Sequence, residues 1–250
     1  RSCRNSSETL ARCSPPRGRT DSVVLSIFGR ASASKVTAPL GRALNSTGLT
    51  PDSVTIIGTV ASVVAAITLF PTDHLFIGTL VIWLFVMFDM LDGAMARARG
   101  GGSKYGAVLD ATCDRVADGA IFAGLSWWAV FHQNDRPLFV ALLVCLVTSQ
   151  VISYAKARAE ASGLSADGGL IERPDRLVIV LVGSGLTGIG QLAGLTWLQF
   201  ALPVATYFLA AASIVTVFQR VLAVRNSAGA RDIIPIQPTA NRIEPDSTAG

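Results

Sequence analysis

Residues 88–114 read FDMLDGAMARARGGGSKYGAVLDATCD, and four aspartates in this stretch lie where two apolar segments meet. Asp89 and Asp92 are three residues apart, so they share one face of a helix. Asp110 and Asp114 are four residues apart and share a face of the next helix. A charge inside a membrane helix costs about 2.5–3.5 kcal/mol on insertion scales. This cluster therefore requires compensation, either by cations or by protonation.

A short glycine-rich turn, residues 100–102, separates the two aspartate pairs. An antiparallel hairpin about this turn would bring the pairs together. Four facing carboxylates form an all-oxygen, strongly negative site, which suits hard divalent cations. The sequence predicts two Mg²⁺ ions in one active site, with Mn²⁺ as a second candidate. Two metal ions held in this way stabilise both the attacking and the leaving oxygen of an in-line phosphoryl displacement.

Two glycines beside the aspartates have two possible explanations. Gly93 follows Asp92, and Gly106 lies four residues before Asp110. Because glycine has no side chain, a phosphate or a nucleotide can approach the backbone at both positions. The other explanation is close packing of neighbouring helices through small residues. The sequence leaves both open.

The composition places the chain in a membrane. Only 15% of its residues are charged, against about 25% in soluble domains. No charged residue or histidine occurs in 177–219, a run long enough for two membrane helices of about 20 residues each. The segments 53–72 and 137–155 contain no Asp, Glu, Lys or Arg either. We therefore predict an all-α polytopic membrane protein.

Six transmembrane helices fit the pattern, and we expect them at 53–72, 75–98, 104–131, 137–160, 175–190 and 195–222. The glycines within 187–196 predict the turn between the last two. Apolar residues alternate with basic ones in 23–44, which predicts an amphipathic helix lying in the membrane interface, or alternatively a soluble linker. We expect 1–22 to be a disordered N-terminal extension, 23–226 to form the single membrane domain and 227–250 to be a polar tail.

The distribution of Lys and Arg predicts the orientation. The loops at one end of the helices and the tail carry many basic residues, whereas 71–74, 132–136 and 187–196 carry only Arg136. Basic loops stay on the cytoplasmic side. We therefore expect a multi-pass protein of the cell membrane whose termini and active site are cytoplasmic. The net charge of +4 fits contact with anionic membrane lipids, and no aromatic-basic surface typical of nucleic-acid binding is present.

The spacing around the aspartates resembles a known signature. Asp89-x-x-Asp92-Gly93-x-x-Ala96-Arg97, followed after eight residues by Gly106-x-x-x-Asp110-x-x-x-Asp114, is similar to the motif of the CDP-alcohol phosphotransferase family. The resemblance covers all eight defined positions, and the six-helix pattern also resembles the family. It implies transfer of a phosphoryl-linked lipid from a CDP-activated donor to an alcohol, with release of CMP.

The resemblance also implies a role for each residue of the motif. Asp89, Asp92 and Asp110 would hold one metal ion, and Asp89, Asp110 and Asp114 the other. Asp114 would also be the catalytic base that accepts the proton of the acceptor hydroxyl. The residues expected to bind the CDP-lipid are Asp52, Thr55, Gly93, Ala96, Arg97 and Gly106. Asp118 lies outside the signature and either supports the site or pairs with a neighbour such as Arg115.

A second resemblance concerns the acceptor alcohol. Residues 149–164 and 168–177 resemble the corresponding segments of actinobacterial phosphatidylinositol phosphate synthases, a group within the family. This implies CDP-diacylglycerol and inositol 1-phosphate as substrates. The acceptor phosphate would be bound by Ser153, Lys156, Arg176 and Arg220. A phosphatidylglycerophosphate synthase, which uses glycerol 3-phosphate, is the alternative, because a basic pocket alone does not separate two phosphate-bearing acceptors.

Two non-enzyme interpretations compete with these. Intramembrane aspartates also occur in cation transporters, and divalent ions also stabilise structural proteins. Neither interpretation requires the full signature. The family resemblance further implies a homodimer.

Overall fold

The structure is a computed structural model that describes residues 50–98, 102–166 and 168–232, and within 88–98 it describes the backbone alone. Every regular element in these ranges is helical, which confirms the all-α prediction. The elements are α1 (Pro51–Leu69), α2 (Leu75–Ala98), α3 (Lys104–Phe131), α4 (Arg136–Ala161), α5 (Arg173–Ala193), a 3-10 helix (Thr196–Phe200) and α6 (Ala201–Asn226). The predicted extension 1–22, the interfacial helix 23–44 and most of the tail lie outside the described residues.

Polar side chains mark where the helices begin. The Thr50 hydroxyl accepts a hydrogen bond from the backbone N–H of Ser53 at the start of α1. Ser103 and Asp135 cap α3 and α4 in the same way. Glu172 and Asp175 form a reciprocal capping box at the start of α5. Such caps satisfy backbone N–H groups that have no partner within the helix.

The end of α1 differs from the prediction. The helix ends at Leu69 and not at residue 72, because Pro71 has no N–H with which to continue the helical hydrogen bonds. The chain turns there, with Asp73 at φ +64° and the His74 N–H donating to the Leu69 carbonyl over 2.9 Å.

The turn between α5 and α6 is also shorter than predicted. The helix continues through Gly188 and Gly190 to Ala193, and the turn is made by Gly194 at φ +69°. The glycines inside α5 serve packing, since a Cβ at Gly188 would lie 2.4 Å from the Phe76 backbone nitrogen of α2. The predicted last helix, 195–222, is a 3-10 turn followed by α6.

The helices pack around a shared apolar core. Helix α1 contacts α2 and α3, α4 contacts α3 and α6, and α5 contacts α2 and α6. Phe70, which directly follows α1, is fully buried in this core. So are large side chains from α3, α4 and α5: Phe122, Leu125, Trp128, Leu142 and Leu181. The packing leaves the charged N-terminal half of α3 beside the C-terminal half of α4 and the start of α5.

Among the residues that the structure describes with their side chains, four helical segments are long and apolar enough to cross a membrane: Pro51–Leu69, Arg136–Ala161, Arg173–Ala193 and Thr196–Asn226. Helix α2 is apolar over Leu75–Met87, up to the point where its described side chains end. Helix α3 is long enough to cross a membrane, but its first half carries too many charged residues for it to count among these apolar segments. Many large apolar side chains point outward, including Ile57, Leu80, Val147 and Phe208, each more than half exposed. An outer surface of this kind suits lipid.

Candidate active site

A cavity of about 610 Å³ opens where α3, α4, α5 and α6 meet. It is lined by five residues that the sequence analysis assigned to catalysis or to the acceptor phosphate: Asp114, Ser153, Lys156, Arg176 and Arg220. They come from four different helices. The structure therefore brings the predicted base and the whole predicted acceptor set to one place.

Asp114 lies on the α3 wall of this cavity, half-buried, and forms an ion pair with Arg173 of α5 at 2.8 Å. Asp110 lies one turn earlier on the same helix and is exposed. Asp89 and Asp92 belong to α2, but their side chains are outside the described part, so the facing of the two aspartate pairs stays a prediction. The two carboxylates on this face of α3, those of Asp110 and Asp114, suit a hard divalent cation.

Asp118, one turn beyond Asp114, is completely buried and lies among three guanidinium groups. Its carboxylate is 3.4 Å from Arg173, 3.5 Å from Arg176 and 3.8 Å from Arg115. The expected pairing with Arg115 is present, and the two contacts to α5 are additional. A buried carboxylate is tolerated only with such compensation.

Arg176 and Arg220 are the most buried cations of the cavity wall, at 1% and 6% exposed. Among the described residues, Asp118 is the ion-pair partner of Arg176, at 3.5 Å. Arg220 donates to the Ile152 carbonyl of α4 over 3.5 Å. Buried guanidinium groups that line a cavity favour the binding of an anion there, because they are held away from competing water.

The α3–α4 side of the cavity is held by polar contacts. Arg115 donates to the Ser153 hydroxyl, and Ser153 donates to the Ser149 carbonyl over 3.0 Å. Lys156 lies at the rim, 45% exposed, and pairs loosely with Glu160 at 4.0 Å. An exposed pair of this type holds its partners only weakly, so Lys156 is available to a ligand.

Part of the predicted CDP-lipid set also comes together. Asp52 in the first turn of α1 lies against Gly106 of α3, where a Cβ would come within 3.1 Å of the Asp52 carboxylate. Thr55 is buried one turn further along α1. Gly106 thus allows close approach of Asp52, which is the packing explanation of this glycine. Gly93, Ala96 and Arg97 are in α2, with side chains outside the described part.

The family resemblance did not assign Arg173 or Arg115 to the acceptor pocket. Arg173 lies three residues before Arg176, a spacing that puts both on one face of α5 and was a usable signal. Arg115 follows Asp114 directly, and adjacent helix positions do not usually face the same way, so the sequence offered less there.

A sequence model of the CDP-alcohol phosphatidyltransferases matches residues 48–218. This span includes the aspartate motif and all six helices except the last turns of α6. The chain belongs to the CDP-alcohol phosphatidyltransferase family.

Curated members of this family include close relatives of the chain. It is 63% identical over 209 residues to the phosphatidylinositol phosphate synthase of Mycobacteroides abscessus, and the matched residues make up 84% of this chain and 92% of the relative. It is 56% identical over 218 residues to the phosphatidylinositol phosphate synthase of Mycobacterium tuberculosis, covering 87% and 99%.

Solved structures of a family member agree in fold. The Mycobacterium tuberculosis phosphatidylinositol phosphate synthase with CDP-DAG bound has 58% identity and a TM-score of 0.75, covering 81% of this chain and 100% of that one. Its complex with manganese and citrate gives a TM-score of 0.76 at 57% identity, covering 82% and 97%.

Family membership makes this chain a phospholipid-synthesising transferase, and CDP-alcohol phosphatidyltransferases use divalent metals such as Mg²⁺ or Mn²⁺. The predicted enzyme class and metal dependence are thereby confirmed. The cation-transporter and structural-protein alternatives are set aside.

Proposed function

We propose that this chain transfers the phosphatidyl group of CDP-diacylglycerol to inositol 1-phosphate and releases CMP. The observation that carries the proposal is the cavity where α3, α4, α5 and α6 meet. A predicted catalytic carboxylate, Asp114, and a set of cations line the same space. An acceptor that carries its own phosphate needs such cations, whereas a neutral alcohol does not.

The cations divide into a buried group and a rim. Arg176 and Arg220 lie deep in the wall, so we assign them the acceptor phosphate. Ser153 is half-buried and can add a hydroxyl hydrogen bond, and Lys156 can reach the phosphate from the rim. An anion held in this way would be oriented by several charge-assisted hydrogen bonds at once.

Asp114 is the group assigned to proton transfer. The acceptor hydroxyl forms the new P–O bond to the phosphatidyl phosphorus, and its proton goes to the Asp114 carboxylate. The P–O bond to CMP breaks in the same displacement. The ion pair with Arg173 fixes the direction of the carboxylate. Asp52, Thr55, Gly93, Ala96, Arg97 and Gly106 are proposed to bind the CDP-lipid.

Asp89, Asp92, Asp110 and Asp114 are proposed to hold two Mg²⁺ ions. When bound, these ions would neutralise the diphosphate and the developing charge on the leaving CMP. Manganese in the Mycobacterium tuberculosis relative supports a site for divalent cations of this type.

The printed names of the relatives support inositol phosphate as the acceptor, and the basic cavity supports a phosphate of some kind. Glycerol 3-phosphate presents the same phosphate on a smaller alcohol, so it is the acceptor to be separated by experiment.

The test is CMP release by detergent-purified full-length protein with CDP-diacylglycerol and Mg²⁺. Inositol 1-phosphate, free inositol, glycerol 3-phosphate and serine are compared as acceptors. We expect turnover with inositol 1-phosphate alone, and we expect Asp114→Asn to lower kcat by about 10²–10⁴-fold, the typical contribution of a general base. Asp232→Asn is the matched control, since Asp232 is exposed after the end of α6 and does not line the cavity.

The outcomes separate the parts of the proposal. Turnover with glycerol 3-phosphate alone would keep the chemistry and replace the acceptor. Full activity of Asp114→Asn would remove this residue from proton transfer. Turnover with free inositol as fast as with the phosphate would contradict the role of the cations.

We also propose six membrane spans, a homodimer and a location in the cell membrane with a cytoplasmic active site. The four long apolar helical segments support a membrane protein.

A further inference from the structure

Asp118 combines full burial with an unusual set of neighbours. It lies on α3 four residues after Asp114, on the same helix face. Its side chain is 0% exposed, and three guanidinium groups, those of Arg115, Arg173 and Arg176, lie within 3.8 Å of its carboxylate. It does not line the cavity itself, whereas all three arginines do.

These contacts join two helices. Arg115 is on α3, and Arg173 and Arg176 are on the first turn of α5. Arg173 uses the same nitrogen for both aspartates, at 2.8 Å to Asp114 and 3.4 Å to Asp118. Asp118 therefore fixes the start of α5 relative to the helix that carries the proposed base.

Among the described residues, the cavity wall carries more cations than carboxylates. Three carboxylates line it, those of Asp114, Glu160 and Glu172, against five cations: Arg115, Lys156, Arg173, Arg176 and Arg220. Arginines of like charge repel one another when they are close and shielded from water. A single buried carboxylate at their centre reduces this repulsion while the cavity side of the cluster stays positive.

We propose that Asp118 is a positioning residue for the acceptor: it holds the guanidinium groups of Arg115, Arg173 and Arg176 together, in the arrangement that binds the acceptor phosphate. Asp118 touches neither the substrate nor a metal ion in this scheme. The proposal deepens the proposed function and rests on it, because it requires an anion in this cavity.

The main test compares wild type with Asp118→Asn, which keeps the size of the side chain and removes its charge. We expect the KM for inositol 1-phosphate to rise about tenfold or more, an effect on the scale of one lost charge-assisted hydrogen bond. The KM for CDP-diacylglycerol should change by less than about twofold. In the absence of CDP-lipid and metal, the dissociation constant for inorganic phosphate, measured by calorimetry, should rise by a similar factor.

Glu160→Gln is the matched control, because it removes the same charge from a rim position that is 61% exposed. We expect its phosphate affinity to be equal to that of wild type or slightly higher. If charge alone mattered, Asp118→Asn would also bind phosphate more tightly, and that result would overturn the proposal. Equal losses for both substrates, or a fall in kcat alone, would overturn it too.

A second variant keeps the test valid if Asp118→Asn fails to fold, since it leaves Arg176 buried without its counter-charge. The double variant Asp118→Asn/Arg176→Gln removes both partners. Compared with Arg176→Gln alone, it should have a further increase in the KM for inositol 1-phosphate of about threefold, because Arg173 is also released. The effects of the two substitutions on this KM should be non-additive, as is usual for residues in contact. An identical KM for the two variants would contradict the proposal.

The proposed function fails separately. If wild type binds no phosphate and uses no phosphorylated acceptor, the anion pocket itself is wrong. If wild type binds phosphate and Asp118→Asn binds it equally well, only the role of Asp118 is wrong.

Discussion

Gly169 sets the distance between the segment before α5 and the end of α6. Its φ is +142°, and a Cβ at this position would lie 2.8 Å from the Thr216 methyl group and 3.6 Å from Nε of Arg220. Two residues later, the backbone N–H of Ile171 donates to the Thr216 hydroxyl over 3.3 Å. The neighbouring Gly168 also has a positive φ, +114°, but open space around its missing Cβ. A substitution at either glycine would have the cost of an unfavourable φ, but only one at Gly169 would also bring a side chain into contact with Thr216.

At this scale we predict that Gly169→Ala raises the KM for inositol 1-phosphate, because the new methyl group pushes against Thr216 and the adjacent Arg220. The rise should be about threefold to tenfold. Gly168→Ala should leave this KM within about twofold of wild type. Both variants should lose stability by about 1–3 kcal/mol from the unfavourable φ. The measurement is a pair of acceptor titrations together with thermal unfolding, and equal KM values for the two variants would contradict the prediction.

Single residues of the site were predictable to an uneven degree. The spacing of Asp110 and Asp114 places both on one helix face without any tertiary information. The grouping of Ser153, Lys156 and Arg176 came from a family resemblance, and the structure places them around one cavity. The contacts of Asp118 with α5 were not predictable, because they depend on the rotation of α5 relative to α3, which spacing along one helix does not determine.

At the scale of elements, the crossing of α2 and α5 depends on small residues. A Cβ at Gly188 would lie 2.4 Å from the backbone nitrogen of Phe76, so the two backbones approach closely at this point. One turn before Gly188 on α5, the Ser184 hydroxyl shares a buried hydrogen bond of 2.7 Å with the Thr79 hydroxyl of α2. Small residues that allow close approach and polar bonds between helices stabilise helix pairs in lipid.

We predict that Gly188→Ala destabilises the protein by about 1–3 kcal/mol, the usual cost of overpacking a tight contact. Gly58→Ala in α1 is the matched control, because no atom lies within 4 Å of its missing Cβ. It should be neutral or stabilise by up to about 1 kcal/mol through helix propensity. Unfolding in mixed detergent micelles measures both. A Gly188→Ala protein as stable as Gly58→Ala would show that α2 and α5 can move apart at no cost.

Helix bounds show what periodicity and composition can predict. The sequence predicted α2 and α3 with the same bounds as the structure, because charges and a glycine turn mark their ends. It placed the α5–α6 turn too early, because glycines favour a turn in the sequence but here serve the contact with α2. A glycine required by packing and one required by a turn are identical in the sequence.

At the scale of the whole molecule, the two ends of the helices differ in chemistry. The end with the cavity carries Arg173, Arg176 and Arg220, whereas the loops at the opposite end, 71–74, 132–136 and 187–196, contain a single Lys or Arg, Arg136. There, Asp73 accepts hydrogen bonds from Trp128 over 2.6 Å and from Gln191 over 3.0 Å. Basic residues concentrate on the cytoplasmic side of membrane proteins. This asymmetry supports a cytoplasmic cavity.

The two ends of α4 provide the sharpest test of this orientation. Gln133 precedes the helix, Ser162 follows it, and both are exposed. We predict that Gln133→Cys reacts with a membrane-impermeant thiol reagent in intact cells, and that Ser162→Cys reacts only after the cells are permeabilised. The background for both variants is a chain whose four cysteines, Cys3, Cys13, Cys113 and Cys145, are replaced by serine, so that the introduced thiol alone can react. Labelling of both cysteines in intact cells would mean that α4 does not cross the membrane. The reverse pattern would place the cavity outside the cell and contradict the predicted orientation.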